Sequence, residues 1–152
     1  MADNLTRAQR SYCMSRVRNR GTDLETNIAK ALRRRGVQFS KNPRGVPGSP
    51  DIVLYRAKVA VFIDGDFWHG YRFPAWRAKM SPFWRAKIAK NRARDARNFR
   101  TLRRAGWRVI RIWQHQWETD HEQCVERIVR VLGKANRPAV MRNPRPAHRR
   151  VI

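Results

Sequence analysis

Acidic residues are scarce in this chain of 152 residues, in which 11 Asp and Glu stand against 35 Lys and Arg and give a formal net charge of +24 at pH 7. A chain with such an excess of one charge repels itself, so a polyanion is its natural partner, and nucleic acid fits best. Charge alone does not separate an enzyme from a ribosomal protein or a chaperone-like RNA binder. It therefore indicates the partner and leaves the chemistry open.

Long apolar runs and paired cysteines are also missing. No apolar stretch approaches the roughly 18 residues of a transmembrane helix, and the first residues lack the apolar segment of a signal peptide. Cys13 and Cys124 are far apart and form no CxxC pair, so we interpret both as ordinary thiols of a reducing compartment. We therefore expect a cytoplasmic protein that associates with the nucleoid and not with membranes.

The pattern of apolar residues predicts a small mixed α/β domain. Helices are predicted after the capping box of Thr22 and Glu25, from Ser81 to Ala105, and from Thr119, as N-cap, to Leu132; strands are predicted at 51–55, 58–64 and 107–113. The continuous apolar character of 58–64 indicates a strand that helices cover on both faces. We divide the chain into a basic arm (1–20), a central domain (21–133) and a flexible basic tail (134–152).

Two of the few carboxylates stand at the ends of neighbouring apolar strands. Asp51 begins one strand and Asp64 ends the next, so a hairpin with its turn at 56–58 would bring both to one edge of the sheet. Paired carboxylates offer the oxygen ligands that Mg²⁺ prefers, and Mg²⁺ stabilises charge on a scissile phosphate and helps to activate water. The alternative is that Asp51 caps a turn after Pro50 and Asp64 starts the turn at Gly65.

Glu25 and His69 are further candidates for this centre. His69 follows Asp64 by five residues, in a loop bracketed by Gly65 and Gly70, and from there it could take a proton from the attacking water. Glu25 could support the reaction from the first helix, although its place in the capping box also explains it.

Two polar residues interrupt the apolar stripe of the second predicted helix. Asn91 and Asp95 fall on the same face as Ile88 and Phe99, and buried polar groups require partners. They could hold His69 or a catalytic water in place. The alternative is a structural pair with a nearby Arg.

Aromatic and basic residues alternate between positions 67 and 87. Aromatic side chains can enter a base step and unstack it while Lys and Arg bind phosphates, although the core must account for some of the rings. Phe67 and Trp68 are predicted to be exposed, because a loop flanked by glycines rarely packs two large rings.

Several of these segments, taken in order over residues 8–132, resemble the very-short-patch repair (Vsr) DNA mismatch endonucleases. The resemblance is carried by Arg20-Gly21-Thr22 with Glu25, by VPGSPD at 46–51, by VFIDGDFWHG at 61–70, by Phe83-Trp84 with Lys87-Ile88, by Asn91 with Arg94-Asp95, and by GWRV at 106–109. The FWHG segment with its upstream aspartate is the most specific part.

The resemblance implies a restriction-endonuclease-like fold of the PD-(D/E)XK type, in which a central mixed sheet is flanked by helices. It also implies Mg²⁺-dependent nicking of double-stranded DNA, 5′ to the thymine of a T:G mismatch, in mismatch repair, and it leaves partner proteins open. On this pattern Asp51 and the backbone carbonyl of Ile63 hold the metal, with Asp64 close to it near the attacking water. His69 is the base, and Glu25 positions the base or the water.

The resemblance further assigns the DNA-intercalating residues and raises the question of zinc. Phe67, Trp68 and Trp84 match residues that intercalate beside the mismatch, and Met14 matches their N-terminal partner. Family members usually carry a structural zinc held by Cys and His. The matching positions are Asp66, Tyr71, Phe73 and His115. Because no thiolate stands there, we expect no structural zinc and expect Tyr71 and Phe73 to hold the 65–75 loop by packing.

Two other functions remain open from the sequence. A nuclease of the same fold could act at a specific site for a mobile element or a defence system. A degenerate module could bind distorted DNA without cutting it, although the presence of both Asp51 and His69 argues against this.

Overall fold

Four strands with helices on both sides make up residues 5–16 and 22–135, which the computed structural model describes. In chain order the elements are α1 (Arg7–Arg16), α2 (Asp23–Arg34), β1 (Ser40–Lys41), β2 (Ile52–Leu54), β3 (Val59–Asp64), α3 (Phe73–Trp76), a 3₁₀ turn (Arg77–Lys79), α4 (Pro82–Arg104), β4 (Arg108–Trp113), α5 (Gln114–Thr119) and α6 (His121–Ala135). The predicted α/β class is confirmed.

The strands form one mixed sheet in the order β1-β2-β3-β4. β1, β2 and β3 are antiparallel neighbours, whereas β4 lies parallel to β3, with Val59 opposite Arg108. The predicted hairpin between β2 and β3 is present and pairs Ile52 with Val61. This register places Asp51, which precedes β2, beside the end of β3.

The sheet has an apolar core on each face, because successive residues of a strand point to opposite sides. One core joins the sheet to α2, α5 and α6, and its fully buried residues include Ile28, Leu32, Ile52, Val61, Ile112 and Ile128. The other joins the sheet to α4 through Ala60, Phe62, Phe99 and Leu102. Helices therefore cover both faces, which explains why β3 is buried along its whole length.

The longest helix is α4, which has 23 residues and begins at Pro82, directly after Ser81, as predicted. Proline is favoured at this position because the N–H that it lacks would have no partner inside the helix. The helix buries Ile88, Asp95, Phe99 and Leu102, of which Phe99 and Leu102 pack against the sheet. In the described part of the chain, no helix is long and apolar enough to cross a membrane.

The last helix, α6, starts later than predicted, and the prediction that Thr119 caps it is wrong. Thr119 ends the short helix α5, which the sequence did not predict, and its hydroxyl donates to the His115 carbonyl at 2.7 Å. Asp120 caps α6 instead, because its Oδ1 accepts a hydrogen bond from the Gln123 N–H at 2.9 Å. Asp and Thr are both good N-caps, so the pattern alone could not choose between neighbours.

Two segments without predicted secondary structure also contain regular elements. Residues 7–16 of the predicted N-terminal arm form α1, and the 65–80 segment contains α3 and the 3₁₀ turn. Residues 1–4, 17–21 and 136–152 lie outside the described residues, and most of the predicted C-terminal tail is among them.

Gly70 and Gly36 have nearly the same backbone conformation, with φ of 69° and 71°, but different surroundings. A Cβ at Gly70 would lie 2.7 Å from Cγ2 of the buried Ile88, whereas one at Gly36 would meet nothing within 4 Å. Alanine at either position carries the strain of a positive φ, about 1–2 kcal/mol, and at Gly70 it adds overpacking of about 1–3 kcal/mol. We predict that Gly70→Ala lowers the free energy of unfolding in urea more than Gly36→Ala. Equal losses would contradict the packing at Gly70.

Candidate active site

A cleft at one end of the sheet brings the predicted catalytic residues together. Its volume is about 940 Å³, and Glu25, Asp51, Asp64 and His69 all line it. Asp51 precedes β2, Asp64 ends β3, Glu25 lies in the first turn of α2 and His69 lies in the loop after β3. The fold thus gathers four side chains from separate parts of the chain, and their individual roles stay predictions.

Asp51 is held against the end of β3 by backbone hydrogen bonds. Its Oδ2 accepts from the Ile63 N–H at 2.7 Å, and its own N–H donates to the Val61 carbonyl at 3.0 Å. Burial raises the pKa of Asp51 to about 7; the hydrogen bond from Ile63 opposes the rise, and the negative charges of Glu25 and Asp64 add to it. A cation beside Asp51 would favour its ionised form and offset the cost of burial.

Glu25 caps the start of α2 and also faces the cleft. The predicted N-cap is present, since Thr22 Oγ1 accepts a hydrogen bond from the Glu25 N–H at 3.2 Å, and the same hydroxyl donates to Glu25 Oε1 at 3.2 Å. The Glu25 residue is only 3% exposed, and its charge acts on Asp51. Capping and support of the centre are therefore compatible in this geometry.

His69 is oriented through one of its two ring nitrogens. Its Nδ1 lies 2.8 Å from Asp95 Oδ2 and 3.3 Å from Asp64 Oδ1. A neutral imidazole so placed carries its proton on Nδ1, which leaves the lone pair on Nε2. Asn91 Nδ2 donates to the Trp68 carbonyl at 3.0 Å and fixes the backbone just before His69. Asp95 and Asn91 thus both contact the loop that the sequence analysis associated with them.

The carboxyl groups around His69 also pair with arginines. Arg94 Nη2 lies 3.2 Å from Asp95 Oδ1, and Arg111 Nη2 lies 3.2 Å from Asp95 Oδ2. Burial by itself raises the pKa of Asp95, but the hydrogen bonds from His69 and Arg94 and the charges of His69 and Arg111 outweigh it, so the net shift is downward. Burial also raises the pKa of Asp64, and His69 and Arg111 offset only part of that rise.

Arg111 was not identified as a site residue by the sequence analysis. Its Nε donates to Asp64 Oδ2, and its guanidinium lies 4.1 Å from the ring centroid of Trp113. A signal was present, because Arg111 lies between Ile110 and Ile112 in an apolar strand, and a charged group that is partly removed from solvent favours a partner. Which carboxylate would meet it depends on the pairing of β3 with β4, and local sequence does not define that pairing.

The predicted intercalating residues form one aromatic cluster beside the cleft. Ring centroids are 5.0 Å apart for Phe67 and Trp68, 6.0 Å for Phe67 and Trp84, and 5.6 Å for Trp68 and Trp84. Phe67 is 43% exposed whereas Trp68 is half-buried, so the expected exposure of both rings holds for Phe67 alone. Met14, in α1, lines the same cleft.

The loop that carries this cluster is tied to α5 by a polar and aromatic cluster. Asp66 Oδ1 lies 2.8 Å from His115 Nδ1, the ring of Tyr71 lies 4.2 Å from that of His115, and Phe73 is buried. These residues do not fit a structural zinc, because the cluster has no thiolate and its one Asp and one His already bind each other. The packing of Tyr71 and Phe73 follows the expectation for this loop.

The donor set beside Asp51 fits Mg²⁺ better than a metal that needs a closed cage. Within residues 5–16 and 22–135, no three His, Cys, Asp or Glu side chains converge as metal ligands. Mg²⁺ keeps several waters and binds through one or two carboxylates together with substrate phosphates. Asp51 meets this requirement, whereas both oxygens of Asp64 already face Arg111 and His69.

Comparison with known proteins identifies the family. Residues 2–74 match the family model described as DNA mismatch endonuclease Vsr. The DNA mismatch endonuclease Vsr of Escherichia coli K12 is 35% identical over 119 residues, which cover 75% of this chain and 74% of the relative. The type II nicking enzyme V.NmeDIP of Neisseria meningitidis serogroup C is 36% identical over 129 residues, which cover 83% and 87%. The chain therefore belongs to the Vsr family of DNA endonucleases.

The raised pKa of Asp51 makes stability depend on pH. The pKa rises from 3.8 to about 7 on folding, so between these values the folded chain holds a proton that the unfolded chain has released. The contribution of Asp51 to stability is full below the unfolded pKa and is lost as pH rises toward the folded pKa, by at most about 1.4 kcal/mol per pH unit.

We therefore predict that Asp51→Asn, which cannot ionise, raises the midpoint of thermal unfolding in chelating buffer at about pH 8 and has little effect at about pH 4. The matched control is Asp23→Asn, which changes an exposed carboxylate of the same cleft at the start of α2 and should not raise the midpoint at about pH 8. A pH-independent effect of Asp51→Asn would contradict the burial of this carboxyl group.

Proposed function

We propose that this chain nicks one strand of double-stranded DNA 5′ to the thymine of a T:G mismatch, with Mg²⁺ as its cofactor. One observation supports this most strongly. The loop after β3 carries both His69, oriented by buried carboxylates, and the rings of Phe67 and Trp68 beside the same cleft. A group that can take a proton and rings that can open a base step therefore belong to one element.

The restriction-endonuclease-like type of fold is part of this proposal. In support of it, a mixed sheet lies between helices, and a carboxylate preceded by proline, Asp51, directly precedes the first strand of the β2–β3 hairpin. The acidic residues of the site gather where that hairpin ends, and α2 and α4 approach this end from opposite faces.

Each residue of the centre then has a distinct role. Nε2 of His69 accepts the proton of the attacking water, because Nδ1 is held by Asp95. Asp51 and the Ile63 carbonyl would hold Mg²⁺, which when bound would stabilise the negative charge that develops on the scissile phosphate. Glu25 orients the water or the base. Asp64 lies next to His69 and the water, as the family pattern implies.

The substrate is held by charge and by stacking. Lys87 and Arg94 line the cleft on the side of α4, where they can bind phosphates of the strand to be cut. The exposed ring of Phe67, backed by Trp68 and Trp84, enters the base step beside the mismatch, where unstacking costs least. Met14 approaches from α1.

A second target is the alternative. Several relatives, among them V.HpaIIP of Haemophilus parainfluenzae at 38% identity over 115 residues, or 73% of this chain and 82% of the relative, are named type II nicking enzymes. The 65–75 loop is held by the pair of Asp66 with His115 and by the contact of Tyr71 with the His115 ring, and in this proposal the loop carries mismatch recognition. A nicking enzyme of a mobile element or a defence system would use the same centre on a different target.

The deciding measurement is strand-resolved cleavage with Mg²⁺ on two duplexes that differ only in carrying T:G or T:A at one position. We predict a nick confined to the thymine strand of the T:G duplex and no product when the metal is chelated. Cutting that ignores the mismatch would favour the second target. Tight binding without any cutting would leave a DNA-binding module.

Asp51→Ala should abolish this nick and should keep or strengthen DNA binding, because it removes a metal ligand and a negative charge together. Asp23→Ala is the matched control, since it removes an exposed carboxylate from the same cleft and should leave the rate unchanged. Equal rates for the two variants, measured at saturating enzyme, would contradict the assignment of Asp51 as a metal ligand.

Phe67→Ala should weaken binding to the T:G duplex by about 1–3 kcal/mol if the ring stacks on a base. The control is Tyr55→Ala, which removes another exposed ring, 51% accessible, that adjoins β2 at the end away from the cleft. Fluorescence anisotropy on both duplexes measures the effect. An unchanged affinity would mean that Phe67 does not contact DNA.

A further inference from the structure

We propose that Arg111 is a positioning residue, whose guanidinium holds Asp64 and Asp95 so that both face Nδ1 of His69 and leave Nε2 free to act on the water. This inference rests on the proposed function, because it assigns His69 the role of base. It adds a residue from β4 to a centre otherwise built from β2, β3, α2, α4 and the loop after β3.

The contacts of Arg111 form a bridge between two carboxyl groups. Its Nε donates to Asp64 Oδ2 and its Nη2 donates to Asp95 Oδ2 at 3.2 Å. The same Asp95 oxygen lies 2.8 Å from His69 Nδ1, and the second oxygen of Asp64 lies 3.3 Å from that nitrogen. One cation therefore fixes both acceptors that surround one ring nitrogen.

A cation stabilises two carboxylates this close, which would otherwise repel each other until one took up a proton or turned away. The side chains of Asp64 and Asp95 are only 5% and 10% exposed, so solvent screens their repulsion weakly. Without Arg111, one of them would turn away from the other and from His69, and the imidazole would lose a defined orientation. Arg94 is no substitute, because it is half exposed and its ion pair in the described structure is with the far oxygen of Asp95.

Arg111 is itself held rigidly, and it stays out of the cleft. Its guanidinium lies 4.1 Å from the ring centroid of Trp113 and 5.1 Å from that of Phe99, and its backbone pairs with Phe62 of β3. Asp64, Asp95 and His69 line the cleft but Arg111 does not. Its removal should therefore affect the rate of the chemical step more than the affinity for DNA.

The test is single-turnover nicking of the T:G duplex at saturating enzyme by the wild type, Arg111→Met and Arg111→Lys, with DNA affinity measured in parallel. We expect Arg111→Met to lower the rate about 10–100-fold, as for other residues that orient an active group through hydrogen bonds, with little change in affinity. Arg111→Lys keeps the positive charge but loses the planar guanidinium that can donate to two carboxyl groups. Its rate should therefore lie between those of the wild type and Arg111→Met. In Arg111→Ala, millimolar methylguanidinium should restore part of the rate and methylammonium should not.

Arg127→Met is the matched control, because Arg127 donates to the carbonyl of Arg111 at 3.0 Å and has no ion pair with Asp64 or Asp95 in the described structure. An unchanged rate in Arg111→Met, or an equal loss in Arg127→Met, would overturn the proposal. A loss of rate that follows a loss of affinity would overturn it as well.

A measurement on the free enzyme, without DNA, tests this proposal separately from the proposed function. The ¹⁵N shifts of His69 in the wild type should report a proton on Nδ1, and this tautomer should become mixed in Arg111→Lys. A proton on Nε2 in the wild type would refute the positioning role, even if Arg111→Met failed to fold. A wild type that shows the Nδ1 proton but cuts no duplex would instead count against the proposed function.

Discussion

The contact on which the site depends is the hydrogen bond between His69 Nδ1 and Asp95, reinforced by Asp64 and Arg111. Asp95 lies in α4, Asp64 in β3, Arg111 in β4 and His69 in the loop after β3. The contact therefore forms only when helix, sheet and loop are all in place. Burial gives it strength, because Asp64 and Asp95 are largely removed from the solvent that would screen them. The same burial makes it sensitive, since loss of one member leaves the others with uncompensated charge.

The distribution of charge explains how a chain of net charge +24 can keep a negatively charged centre. Much of the basic excess lies on exposed helix surface, as along α4, whereas Glu25, Asp64 and Asp95 are buried. The surface therefore attracts a polyanion over a long range, while the cleft offers carboxyl oxygens to a cation. The raised pKa of the partly buried Asp51 is the local consequence of this arrangement, and a cation beside Asp51 would offset the cost of its burial.

The loop after β3 joins the side chains proposed for recognition to the side chain proposed as the base. His69 and the rings of Phe67 and Trp68 are adjacent in sequence, and the loop is attached at several points. Asn91 holds the Trp68 carbonyl, Asp66 pairs with His115 and Gly70 packs closely against Ile88. A shift of the rings on entering DNA would be felt at His69, because few backbone bonds separate them.

The sequence by itself determined the α/β class, the β2–β3 hairpin, the start of α4 and the nucleic-acid partner, because periodicity, proline position and net charge are local or additive properties. It also singled out Asp51, Asp64, His69 and Asp95, since polar residues at the ends or in the middle of apolar segments stand out. Only the tertiary structure decided that Arg111 joins them, that Trp68 is half-buried, and that Asp120 rather than Thr119 caps α6. Each of these depends on which strand or helix lies alongside, and pairing between distant segments is set by packing of the whole core.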